Sequence, residues 1–330
     1  MNVIEPSIEI MRTGLETELI QPEQFIEKVG RTCYKSEDKI TPDSAAKFVK
    51  ALISRGHEAM VEHYSFVFKT NCECYEQMLE DYETLIHSVD ISHMEHLKPF
   101  LRFTDYYAAG DTRFIVSGNV RAWRDFAKAC VDGFGYIPVY LYGVIKTNPL
   151  LFPEFRDWVP IAVVNDILIP IAVSELTRPE RLIHQDITVK FICDRGVSHE
   201  IVRHRTASFA QESTRYCNYG QDKFGNEITV VEPSWIRNAE LYDTWYASCE
   251  EAEDRYFHLL DMGCVPQEAR SVLPNSLKTE VIMTGNLDCW QHFFELRCAP
   301  DAHPDIQVVA KMVRDELARE LIIDYGFIEW

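Results

Sequence analysis

The chain has 330 residues, enough to bury a substantial core as one large domain or two small ones. Apolar residues make up 46% and charged residues 26%, as in ordinary soluble globular proteins. With 33 basic against 52 acidic side chains the formal net charge is −19, which argues against a nucleic-acid polymer as main partner, because phosphate-backbone binding needs a basic footprint. A single nucleotide in a local basic pocket stays compatible with that balance.

The opening MNVIEPSIEI has neither a basic n-region nor an apolar h-region, and no apolar run approaches the ~20 residues of a membrane span. Ten cysteines occur without a C-x-x-C pair, and Cys72-x-Cys74 suits neither a zinc knuckle nor a redox motif. These features predict a cytoplasmic protein with reduced thiols, no metal and no membrane contact.

Residues 3–10 alternate and predict an edge strand. Pro22 predicts a helix with Phe25, Ile26 and Val29 on its apolar face. Thr41-Pro42-Asp43 predicts a second, with Thr41 as N-cap, running through Phe48, Val49, Leu52 and Ile53 to Gly56. His57 and Glu58 fall just past its end. Tyr64–Thr70 reads as a strand, 72–88 as a helix, Thr112–Ser117 as a strand, and 134–160 is rich in proline and aromatics. Ile187–Asp194 reads as a strand and Arg195-Gly196 as a turn, with Ser198 expected to cap a helix carrying Glu200 and Arg203. A turn at Lys223–Asn226 and a strand at Ile228–Val231 follow. A long amphipathic helix over 238–262 closes at Gly263, and a short one from Pro266 bears Arg270 and breaks at Pro274. A strand over 277–284, a helix from Asn286 carrying His292 and Arg297, and a last helix from His303-Pro304 to about Ile323 complete an α/β (α+β) chain. The expected architecture is a central mixed or antiparallel sheet flanked by helices.

Within 199–215 three arginines and two histidines stand against two glutamates, a cationic island in an acidic protein. Arginine offers a planar fork of donors that matches phosphate. On a helix Arg203 and Arg205 would point to roughly opposite sides, so the pair would grip two things rather than paint one stripe. The small and polar residues that follow can expose backbone N–H groups to an anion. His199 and His204 are five apart, about 140° around a helix, which is poor for one metal ion.

The string Arg203-His204-Arg205, seven residues, Ser213, then Thr214-Arg215-Tyr216 resembles the signature of the flavin-dependent thymidylate synthases. Gly56-His57-Glu58 followed by Glu62-His63 and a strand is similar to a second family motif. The resemblance covers roughly 1–65 and 185–323. It implies reductive methylation of dUMP to dTMP, with 5,10-methylenetetrahydrofolate as carbon donor, FAD as hydride carrier and NADPH as reductant, in a homotetramer with sites between subunits. Position by position it implies catalytic roles for Arg203 and Arg297, and contacts to dUMP from Glu200, Arg203, Gln211, Glu212, Ser213, Thr214, Arg215, Arg270 and Arg297. It implies FAD contacts from His57, Arg203, His204, Arg205, Gln211, Asn286 and His292. Two positions depart from the family: Ala59 replaces a hydroxyl residue, and Asp288 replaces an arginine that instead appears as Arg121.

Residues 71–183 read as an insertion into a single catalytic domain, 1–330. Within it Phe114-Ile-Val-Ser-Gly-Asn-Val-Arg-Ala-Trp-Arg-Asp-Phe126 echoes Val281-Ile-Met-Thr-Gly-Asn-Leu-Asp-Cys-Trp-Gln-His-Phe293. Both read as a strand, a tight Gly-Asn turn and a helix; convergence and internal duplication each account for the match. A non-catalytic nucleotide or RNA binder using the same arginines is the rival reading, and Ala59 and Asp288 are the residues in its favour.

Overall fold

The structure, a computed structural model, describes residues 1–16, 20–87, 100–108, 111–159, 167–215, 217–221 and 224–325. Tyr216 of the signature and Lys223 of the predicted turn lie outside these residues. Short β1 (Asn2–Ile4) and edge strand β2 (Ser7–Arg12) are followed by α1 (Pro22–Tyr34) and α2 (Ser44–Ser54), then a 3-10 turn over Glu58–His63. Next come β3 (Ser65–Thr70), α3 (Cys72–Ile86), the hairpin β4 (Leu101–Ala108) and β5 (Asp111–Asn119), α4 (Val120–Phe134) and α5 (Tyr142–Thr147). The chain continues through β6 (Ile169–Pro170), α6 (Arg178–His184), β7 (Asp186–Asp194), α7 (Arg195–Ile201), β8 (Ser208–Gln211) and β9 (Thr229–Val231). It ends with α8 (Ala239–Asp261), α9 (Pro266–Ala269), β10 (Lys278–Asn286), α10 (Leu287–Arg297) and α11 (Pro304–Tyr325).

The expected single central sheet is two antiparallel sheets of four strands, ordered β2-β7-β10-β8 and β4-β5-β3-β6, with a parallel β1–β9 pair apart. Period-2 alternation foretells strands but not their partners, and the apolar faces here were large enough to fill two cores. One core gathers Trp123, Phe126, Met78 and Leu85 beneath β3 and β5. The other gathers Phe191, Trp290, Phe293 and Val313 between β7, β10, α10 and α11.

Three local expectations change. α2 starts at Ser44 rather than after Thr41, and the Thr41 N–H donates to Ser44 Oγ at 2.9 Å, so the Thr-Pro pair forms the turn before the helix. Arg195 and Gly196 are helical, because Asp194 caps α7 by accepting from the Val197 N–H at 2.8 Å; Ser198 sits inside that helix. No turn separates Gly285-Asn286 from α10: strand residue Asn286 is itself the cap, accepting from the Cys289 N–H at 3.0 Å.

Candidate functional site

α7 ends at Ile201, so Arg203-His204-Arg205 lies on the turns leading to β8 rather than on the helix expected to carry it. His204 is buried while the arginines on either side are exposed. His204 packs edge-on against Phe293, ring centroids 4.9 Å apart, and lies 6.1 Å from the ring of His292.

Arg297, at the last position of α10, closes this group. Its Nε donates to His204 Nε2 at 3.1 Å, Nη1 to Glu200 Oε2 at 2.8 Å, and Nη2 to the Glu200 carbonyl at 3.0 Å. Burial first, then the neighbouring charges of Arg297 and His292, lowers the His204 pKa to about 4. The imidazole is therefore neutral at pH 7 and accepts at Nε2, which fixes the remaining proton on Nδ1. Glu200 holds the guanidinium in place through charge-assisted bonds.

The 211–215 loop forms the neighbouring patch. Gln211 Nε2 donates to Ser198 Oγ at 2.9 Å, tying β8 to α7. The Ser213 N–H donates to the Cys33 carbonyl at 3.2 Å, and Arg270 Nη1 donates to Thr214 Oγ1 at 3.0 Å. Glu212 is buried and paired with Lys278 at 2.9 Å. Lys278 also reaches Glu280 at 2.5 Å, Lys190 meets Glu280 at 2.9 Å, and Lys35 is bonded to Glu280 as well. Burial alone would raise the Glu280 pKa, but Lys278 and Lys35 outweigh it and bring it down to about 2. A cavity of about 560 Å³ opens beside Lys35, Glu212, Tyr219 and Lys278, and one of about 280 Å³ opens beside Glu200 and Trp235.

Sequence reasoning thus assembled two linked groups: Glu200, His204, His292 and Arg297 on one side of α7, and Gln211 to Arg215 with Arg270 on the other. His57 and Asn286 stand apart from both. His57 Nδ1 meets the Tyr34 hydroxyl at 3.0 Å, and the Asn286 amide caps α10 and donates to the Ile183 carbonyl at 3.0 Å. The lysine–glutamate cluster was missed. Lys278 and Glu280, two apart on a strand and so on one face, were its visible trace; Lys35 left none.

In a chain carrying 52 acidic residues, Arg203 and Arg205 have no ion-pair partner among the described residues. Two exposed guanidinium groups two residues apart, without carboxylate partners among the described residues, offer forks of donors that match phosphate. The thiols nearby do not fit a nucleophile's role. Burial pushes Cys33 and Cys217 up to about 12, and Cys217 donates to Glu212 at 3.4 Å. Among the described residues no three His, Cys, Asp or Glu groups are placed to hold a metal ion, and no helix is long and apolar enough to cross a membrane.

The chain is 35% identical over 127 residues to the flavin-dependent thymidylate synthase of Pyrococcus furiosus, covering 38% of this chain and 52% of that one. It is 34% identical over 116 residues to the enzyme of the same name from Geobacter sulfurreducens, covering 35% and 49%. The chain spans about half the length of the curated relatives it matches. A crystal structure of the UMP/dUMP methylase PolB from Streptomyces cacaoi aligns at 26% identity and a TM-score of 0.36, over 41% of this chain and 69% of that one. The model of the thymidylate synthase complementing proteins matches residues 15–80 and 179–321, well over half of the sequence, and the chain belongs to that family.

Proposed function

We propose that the protein is a flavin-dependent thymidylate synthase that methylates dUMP to dTMP, using 5,10-methylenetetrahydrofolate, FAD and NADPH, as a homo-oligomer with sites between subunits. The observation that carries this reading is a fixed Arg297, aimed by Glu200 and a neutral His204, together with Arg203 and Arg205, which have no ion-pair partner among the described residues. FAD, when bound, supplies hydride chemistry that no side chain provides. Arg203, His204 and Arg205 would hold it, together with His57.

Arg270 and Arg215 with the 211–214 loop would clamp the dUMP phosphate. Arg297 would face the uracil, where a preorganised cation stabilises negative charge developing on the ring oxygens. Because its partners already fix its fork, little reorganisation is needed as charge builds.

The test is direct. Purified protein is expected to show flavin absorption and to form dTMP from dUMP, methylenetetrahydrofolate and NADPH. Colourless protein that binds dUMP without turnover would replace this reading with the nucleotide-binding one, for which Ala59 and Asp288 are the specific observations.

A further inference from the structure

The two four-stranded sheets are the same sheet twice. Read as β2-β7-β10-β8 and β6-β3-β5-β4, they have the same order, all neighbours antiparallel. The register agrees as well. Ser65 of β3 pairs with Asn119, and Asp186 of β7 pairs with Asn286. Asn119 and Asn286 each end a strand and cap the next helix with the side chain, at 2.8 and 3.0 Å. A Cβ on the preceding Gly118 would lie 3.1 Å from the Phe100 carbonyl, and one on Gly285 would lie 2.9 Å from Cys289 Sγ, so both positions are tight for any side chain. Trp123 and Trp290 then fill the two cores at matching positions.

The contacts between the sheets are reciprocal. His63, two residues before β3, meets Thr284 Oγ1 of β10 at 2.7 Å. His184, two residues before β7, meets Ser117 Oγ of β5, also at 2.7 Å. Ser117 and Thr284 each stand two residues before the capping asparagine. Ser65 and Asp186, which open the matching strands, are hydrogen-bonded to each other. A residue meets its own counterpart only on a two-fold axis, and crossed contacts are what such an axis imposes.

One copy lacks the site. Only two residues of sequence separate β4 from β5, where β8 and β10 are separated by the excursion that carries Arg215 and Arg270. At the position of Arg297, counted from the cap, stands Cys130, fully buried in the core.

We infer that residues 65–134 are a second, site-less copy of the unit at 186–297, seated where a partner subunit would sit, so that one chain holds two family-type units but a single nucleotide site. This rests on the proposed function for the nature of the ligand, but not for the pairing of the units. The tetramer that the resemblance implies is then one of units, reached with no more than two chains.

The experiment is calorimetric titration of the flavin-loaded protein with dUMP, together with its mass by light scattering. One dUMP per chain and a particle of at most two chains are expected. Two dUMP per chain would overturn the inference by showing that the inserted copy is competent. A particle of four chains would overturn it by showing that the partner position is not filled from within. Absence of dUMP binding would sink the proposed function, and the mass alone would then decide the inference.

Discussion

Arg297 and His204 are joined nose to nose: the Arg297 Nε–H donates to the unprotonated Nε2 of His204 at 3.1 Å. The imidazole can accept that bond only while its Nε2 stays unprotonated. Burial of His204 therefore keeps the bond in place at neutral pH.

Arg297→Ala is expected to lower kcat for dTMP formation by roughly 10²–10³-fold, the usual loss when a preorganised electrostatic donor is removed. Arg297→Lys should recover roughly a tenth of activity or less, because a point charge cannot reach His204, the Glu200 carboxylate and the Glu200 carbonyl together. Steady-state kinetics on both variants checks this; near-normal turnover by the lysine variant would show that the fork geometry is irrelevant.

Acid should destabilise the fold earlier than its carboxylates alone would. Burial lowers the His63 pKa to about 4 and that of His184 to about 3, against an ordinary value of 6.5. Groups held neutral in the folded state contribute fully above pH 6.5 and lose that contribution as pH falls from 6.5 through the folded values. Each is worth on the order of 3 kcal/mol at neutral pH. Urea midpoints measured between pH 7 and pH 4.5 should fall steadily, and His63→Gln should flatten the slope. A midpoint unchanged between pH 7 and pH 5 contradicts the account.

Glu280→Ala should cost roughly 3–5 kcal/mol, because it leaves Lys278, Lys35 and Lys190 crowded around an empty position with Glu212 as the remaining buried carboxylate. Lys190→Ala should cost far less, since two lysines still neutralise Glu280. Chemical denaturation of the two variants separates them, and equal losses would show that the cluster does not act as described.

Ser117→Ala and Thr284→Val should destabilise by similar amounts, roughly 1–3 kcal/mol, each leaving a buried imidazole nitrogen without its hydroxyl. A large loss for one and none for the other would break the equivalence of the two seams.

Much of this was readable from the residues. Pro22 and Gly263 punctuate their helices as written, and the α10 apolar residues Trp290, Phe293 and Phe294 are buried as their spacing requires. The arginine string marked the site, yet its conformation was misjudged. A helix was read through Arg203, whereas α7 ends at Ile201 and His204 packs against Phe293 from the turns beyond it. Partners distant in sequence were the least legible. Nothing local announces that Lys35 will meet Glu280, 245 residues away, or that His63 will reach Thr284, 221 residues away. The Gly-Asn echo was visible, but only strand registers distinguish a repeated unit from repeated local chemistry.

The strand exchange at the sheet edges has a consequence for how the chain can be cut. β2 runs on toward β3 but pairs with β7, while β6 runs on toward β7 but pairs with β3. Each half therefore borrows an edge from the other, and many essential contacts span long stretches of sequence, a topology that folds slowly. Severed between α5 and β6, the polypeptide should yield two pieces that are each insoluble alone and recover a native shape when co-expressed, like two hands that can only be unclasped together.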